Sequence, residues 1–265
     1  MDEEVKFPLL PQIVRQKMIY IGSAMTASYR PRAEPYFRSI RRALQPDVCR
    51  FLFVGIDFDP ASMLVEYELE NHVESFELSS HDLHDPSNVI IQHGDFLSID
   101  KKWNDEDYIL WVDCDAFFQR PLCSYDLAHF AEGKACAGKL PNKGEEQLKF
   151  EFARLGGDGS ATAAIEELGF DSRLAEAPTL NTGCVGASVR HWRVLRDQYN
   201  RNAQAVKKYT SHYARQQFLM SLIIHSRFEL EIMPKYIHCD GHYALPEFIH
   251  EESETFVCLF DVSSG

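Results

Sequence analysis

Two aspartates one residue apart close an apolar run, Tyr108-Ile-Leu-Trp-Val-Asp-Cys-Asp-Ala-Phe-Phe118. In an extended strand, side chains at i and i+2 share a face. The spacing therefore predicts that Asp113 and Asp115 point the same way from the carboxyl end of a buried strand, where open α/β sheets place ligands. Two carboxylates held together out of water repel each other unless a cation sits between them. A hard divalent cation carrying substrate phosphates meets that need with oxygen ligands. The pair alone fits other chemistries too. It could be a strand end whose two solvated acids open a loop. A phosphatase-like Asp-x-Asp nucleophile is a second choice, although Asp115 runs on into Ala116-Phe117-Phe118 where such sites carry a Thr. A lesion-bypass polymerase is a third, and the acidic, short chain counts against it.

The elements that must position this pair read as an α/β chain. Residues 17–21 predict a short buried strand ending at Gly22-Ser23, and 51–56 a second, apolar throughout and suited to a sheet covered on both faces. Tyr36, Phe37, Ile40 and Leu44 recur at helical spacing between them, and Pro46 closes that helix. A helix over 62–72, a strand over 74–78 and a loop over 81–88 lead to the strand at 108–112. Further on come a short helix at 161–168, a strand at 185–189 and a long helix at 211–226. The tail after Pro246 reads as irregular. Strands alternating with helices through the first 120 residues predict a mainly parallel sheet.

Composition bounds the rest. The 265 residues are 45% hydrophobic and 25% charged, as in a globular protein, and carry a net charge of −13. That balance disfavours sequence-independent nucleic-acid binding, which needs a basic face. No apolar run reaches membrane-spanning length, although peripheral membrane contact stays open. The acidic start, MDEEVKFPLL, is unlike a secretory leader. Seven cysteines with no CxxC pair read as reduced thiols of a cytoplasmic protein.

Further motifs follow in order. IYIGSAMTASYRPRAEPYFRSIRRAL covers 19–44, YILWVDCDAFF 108–118, LNTGCV 180–185, QQFL 216–219 and LPEFIH 245–250. Together they resemble the GT-A glycosyltransferases, most closely the retaining family eight that includes glycogenin and bacterial galactosyltransferases. The resemblance implies a single GT-A (Rossmann-like) domain over 17–265, after an arm at 1–16, with a mixed, mainly parallel central sheet flanked by helices. It implies a metal-dependent enzyme that moves a sugar from a nucleotide-diphosphate donor, a UDP-sugar, to a saccharide, lipid-linked or protein acceptor, with retention and with Mn²⁺ or Mg²⁺. By the same resemblance Thr26, Ser28 and Tyr29 contact uracil and ribose. Asp113, Cys114 and Asp115 form the nucleotide- and metal-binding motif, and Gly183 lets the backbone approach the donor. Asn181 and Gln217, with Asp115, are the catalytic candidates, and His250 is the third metal ligand with His238 as its rival.

The chain departs from the family pattern in three places. The nucleotide loop lacks the family's acid, Gln216 stands where the family has an acid, and His250 runs into Glu-Glu-Ser-Glu without the Lys-Pro-Trp element. These keep two alternatives open: a nucleotidyl- or phosphoryl-transfer enzyme, and a GT-A-like scaffold without catalysis. Local readings compete as well. Asn181 in Asn-Thr-Gly could cap a turn, and Gln217 could be an ordinary helix amide. His81, His84 and Asp85 read as a solvated turn. Gly156 to Ser160 reads as a helix cap or loop, and Gln92-His93-Gly94-Asp95 as a turn or a contact behind the metal strand.

Overall fold

A computed structural model describes residues 17–83, 91, 93–131, 133–139, 147–156, 159–209, 214–233, 238–240 and 257–259. The arm at 1–16 and His250 lie outside the described residues. The apolar runs form β1 (Ile19–Thr26), β2 (Cys49–Ile56), β3 (Val73–Leu78) and β4 (Tyr108–Val112). A short β5 (Ala116–Phe118) follows, then β6 (Ala135–Lys139), β7 (Leu180–Ser188), β8 (Leu230–Ile232), β9 (His238–Asp240) and β10 (Val257–Leu259). Seven strands make one sheet in the order β3-β2-β1-β4-β7-β6-β8, and β5-β10-β9 make a second. The large sheet is mixed and mainly parallel. Only β7 is reversed, pairing antiparallel with β4 and with β6.

Helices cover both faces: α1 (Arg30–Ala43), α2 (Ala61–Glu66), α3 (Ser124–Ala131), α4 (Leu148–Arg154), α5 (Ala161–Glu167), α6 (Val189–Lys207) and α7 (Ala214–Arg227). Alternate residues of each strand feed opposite cores. Ile19, Ile21, Phe51, Phe53 and Leu110 join Tyr36, Phe37 and Ile40 of α1 on one side. Tyr20, Leu52, Val54, Ile109 and Trp111 join Trp192 and Leu195 of α6 and Phe218 to Ile224 of α7 on the other. No helix among the described residues is long and apolar enough to cross a membrane.

Several expected boundaries shift. β1 does not stop at Gly22-Ser23 but runs on to Thr26. Gly22 is a place of close approach and not a strand end. A Cβ there would lie 2.5 Å from the Trp111 ring. Gly22→Ala is expected to cost about 1–3 kcal/mol by overpacking. A urea midpoint equal to the wild type's would contradict this packing.

The helix expected over 62–72 is only Ala61–Glu66. Glu68 takes φ 55°, its N–H bonds Val65 O (3.0 Å), and the Leu69 N–H bonds Leu64 O (2.7 Å). That paired closure ends a helix in a left-handed residue and drops Leu69 into the core. The strand expected at 185–189 is the nine-residue β7. The tail is not wholly irregular, since it holds β10. The 19-residue α6 has no counterpart in the sequence reading, although its buried Trp192, Leu195, Tyr199, Ala203 and Val206 keep helical spacing.

The strand order positions the site. The chain lays β2 and β3 to one side of β1, then returns to place β4 on the other. The carboxyl ends of β1 and β4 flank this switch point, where open sheets hold ligands. Because β7 runs against β4, its first residues arrive at the same edge.

Candidate active site

Beyond Val112 the β4 ladder continues for one more bond, from the Asp113 N–H to Gly183 O (2.8 Å). The Ala116 N–H then bonds Asp113 O (3.1 Å), closing a tight turn across Asp113–Ala116. Asp115 therefore sits in a turn and not in the strand itself. The alternation nevertheless survives. Asp113 and Asp115 are both half-buried, while Cys114 between them is buried in the α1-side core. Burial first, then the neighbouring carboxylates of Asp115 and Asp113, push the Cys114 thiol well above its ordinary pKa. The family resemblance groups Cys114 with the nucleotide-binding residues by its place in the motif. Its side chain points into the core, so it can offer a ligand only backbone.

The loop after β1 is tied to this turn. Tyr29 Oη donates to Asp115 Oδ2 at 3.0 Å. Burial and then the Asp115 charge push the Tyr29 phenol up to about 12, so at neutral pH it is a proton donor. The Arg32 guanidinium lies 5.2 Å from the Tyr29 ring centre. Thr26 Oγ1 and Ser28 Oγ are hydrogen-bonded at 2.9 Å, with Ser28 exposed and Thr26 half-buried. Of these three residues Tyr29 touches the Asp pair, through Asp115, while Thr26 and Ser28 bond each other just before it in the chain.

Asn181 and Gly183 reach that edge from β7. Asn181 Oδ1 accepts the Gly183 N–H at 2.9 Å, and the Gly183 carbonyl holds the Asp113 N–H. The turn-type bond expected of Asn-Thr-Gly is therefore present, within a strand. α7 is pinned to the same strand by the Leu180 N–H, which donates to Ser221 Oγ at 3.1 Å. At its start Gln217 is half-buried, whereas Gln216 is 4% exposed and its Nε2 has no partner among the described residues. Thr179 Oγ1, just before β7, is likewise buried and unpartnered. Such buried, unsatisfied groups call for an explanation. The adjacent Gln-Gln pair is the sequence signal, and only burial separates its two members.

Of the two histidine candidates, His238 opens β9, which lies in register with β10 and through it with β5: His238 beside Val257 beside Phe118, and Asp240 beside Leu259 beside Ala116. The small sheet therefore starts at the residue after Asp115. Among the described residues no three His, Cys, Asp or Glu side chains gather as a metal site.

The other described sequence candidates make local packing and capping contacts. His81 is exposed in a short turn capped by Ser79, and His84 and Asp85 lie outside the described residues. Gly156 follows α4 with φ 81° and ends it. His93 and Asp95 form a buried pair (3.0 Å), with the His93 ring stacked on Tyr199 of α6. One residue on, Phe96 stacks on Trp111 at 3.9 Å, so this segment supports β4 from behind.

Solved structures share this fold. Galactosyltransferase LgtC, in complex with donor and acceptor sugar analogues, matches with 12% identity and a TM-score of 0.56, over 91% of this chain and 86% of its own. Mouse xyloside xylosyltransferase 1 matches with 12% identity and a TM-score of 0.57, over 94% and 99%. The fold is that of the GT-A glycosyltransferases. The bifunctional glycosyltransferase WbbM matches with 11% identity and a TM-score of 0.57 over 94% of this chain, but over only 46% of its own. No family model matches the chain, and no curated protein matches it in sequence. Within the GT-A fold, the Asp113–Asp115 turn, the Thr26–Tyr29 loop and the start of β7 occupy the switch-point edge.

Proposed function

We propose that this chain is a metal-dependent glycosyltransferase that moves a sugar from a UDP-sugar to an acceptor hydroxyl with retention of configuration. The observation that carries the reading is the Tyr29–Asp115 hydrogen bond. It couples a hydroxyl-rich loop to a pair of carboxylates at the switch point of a sheet that sugar transferases share. The likeness to LgtC bound to donor and acceptor analogues supports a sugar-nucleotide donor.

Asp113 and Asp115 offer half-buried, hard oxygen donors, which suit Mn²⁺ or Mg²⁺. They would hold the ion, with His250 of the motif resemblance as third ligand and His238 as its rival. When bound, the ion would offset charge on the departing nucleotide diphosphate. Tyr29 keeps Asp115 oriented. Thr26 and Ser28 take the ribose and base. The acceptor hydroxyl attacks from the side the diphosphate leaves. The amides of Asn181 and of the Gln216-Gln217 pair orient the sugar and stabilise charge at its anomeric carbon. Within that pair, the unpartnered Nε2 favours Gln216 over the Gln217 of the motif reading. An active-site glutamine-to-glutamate mutant of LgtC is among the similar structures, which supports an amide in this role.

A thermal-shift screen of nucleoside di- and triphosphates and nucleotide sugars, with and without Mn²⁺, tests the proposal. UDP at about 100 times its dissociation constant adds about 2.7 kcal/mol of stability, and the shift is expected only with the metal present. A response confined to triphosphates would replace the proposal with nucleotidyl transfer, and no response at all would leave a scaffold without catalysis.

A further inference from the structure

The helix that follows the Tyr29 loop, α1, carries five arginines, Arg30, Arg32, Arg38, Arg41 and Arg42, against one acid, Glu34. That is a concentration of cations in a chain whose net charge is −13. Most of them are committed elsewhere. Arg30 and Arg41 pair with Glu66 and Glu68, at the end of α2 and just after it, and Arg38 pairs with Glu34 one turn back. Arg42 lies in the last turn, at the far end from the site. Arg32 is placed differently. Its guanidinium leans over the Tyr29 ring, 5.2 Å from the ring centre, and Tyr29 Oη donates to Asp115 Oδ2. One tyrosine ring therefore separates a cation from the carboxylate pair. Burial and then the Asp115 charge raise the Tyr29 phenol, and the Arg32 side chain pulls it back, so the guanidinium acts on the hydroxyl end of the ring. Arg32 is exposed, and a ligand can reach it from solvent.

Charge gives Arg32 its role. Asp113, Asp115 and a nucleoside diphosphate together carry more negative charge than one divalent ion offsets, and like charges crowded at a half-buried site repel. A further cation beside the turn relieves this. The donors of a guanidinium form a rigid planar fork that matches phosphate oxygens two at a time. Arg32 is also the third residue of α1, at the end of the helix whose dipole favours anions. The tail offers no substitute in its Glu-Glu-Ser-Glu after His250, which holds no cation.

We infer that Arg32 grips the diphosphate of the donor beside the metal, from a helix to which the motif reading assigns no site residue. The inference rests on the nucleotide-sugar reading of the site.

Calorimetric titration of UDP and of inorganic pyrophosphate, each with Mn²⁺, into the full chain and into Arg32→Gln and Arg32→Lys tests this. Arg32 is exposed, so both variants should melt like the wild type. Pyrophosphate carries the phosphates without base or ribose, and it separates a phosphate contact from mere support of Tyr29. R32Q is expected to bind both ligands about tenfold more weakly, as loss of a charge-assisted hydrogen bond allows. R32K should recover part of that, since it keeps the charge without the fork. A loss for UDP with pyrophosphate unchanged would assign Arg32 to holding Tyr29 and overturn the inference. Unchanged binding of both ligands by R32Q, or a wild type that holds UDP but not pyrophosphate, would also overturn it while leaving the donor class intact. Binding of neither ligand by the wild type would overturn the donor reading, and the inference with it.

Discussion

Asp115→Asn is expected to abolish Mn²⁺-dependent UDP binding while leaving the fold in place. The substitution removes a charge at nearly constant volume. The amide oxygen of Asn can still accept the Tyr29 hydroxyl, which now reaches Asp115 Oδ2 at 3.0 Å. The turn itself is closed by the backbone carbonyl of Asp113 and not by the Asp115 side chain. Asp115 is half-buried and the substitution turns a hydrogen bond to a charged group into a neutral one, so stability should fall by no more than about 2 kcal/mol. Binding is a different matter. Even the outer partners of a metal ligand are worth about ten- to a hundredfold in affinity, so loss of a direct carboxylate ligand should exceed about a hundredfold. Calorimetry with UDP and Mn²⁺ would read this directly. Unchanged affinity in a variant that melts like the wild type would remove Asp115 from the metal site.

Gln216→Leu is expected to inactivate the enzyme without weakening the protein. Gln216 is buried with its Nε2 unpartnered, and an unsatisfied buried donor costs about 1–3 kcal/mol. Leu has a similar size and no polar group, so stability should hold or rise, by up to about 1 kcal/mol. If the amide donates to the sugar in the transition state, turnover should fall about a hundredfold, the scale of losing one preorganised donor. UDP affinity should barely change. A structural amide would give the opposite pattern, with lower stability and normal turnover. Gln217→Leu, at the half-buried position, should cost less than about tenfold. If that variant proves the more damaging, the role returns to Gln217.

The strands that carry the Asp pair were legible because their chemistry is local. A continuous apolar run marks a strand covered on both faces, and β4 keeps the bounds read from 108–112. Alternation in burial is also present, with Asp113 and Asp115 half-buried and Cys114 between them buried. Boundaries failed where a distant partner decides them. Gly22 reads as a strand end, but it is there because Trp111 of β4 packs against it. The helix expected over 62–72 ends early because a left-handed Glu68 turns Leu69 inward. α6 is hard to read from the sequence because its buried residues form a narrow stripe in a mostly polar segment.

The sequence by itself determined the α/β class, the paired carboxylates and the order of the motifs, because each depends on residues within one strand or one turn of helix. Only the tertiary structure decided which of these meet. Tyr29 and Asp115, 86 residues apart, touch because β1 and β4 are neighbours. Asn181 and Gly183 join them because β7 alone runs backwards in the sheet. Gln216 parts from Gln217 in burial because of how α7 packs on β7. Contacts between strands far apart in the chain follow from packing shared apolar faces, and that free energy belongs to the assembled sheet and not to any single segment.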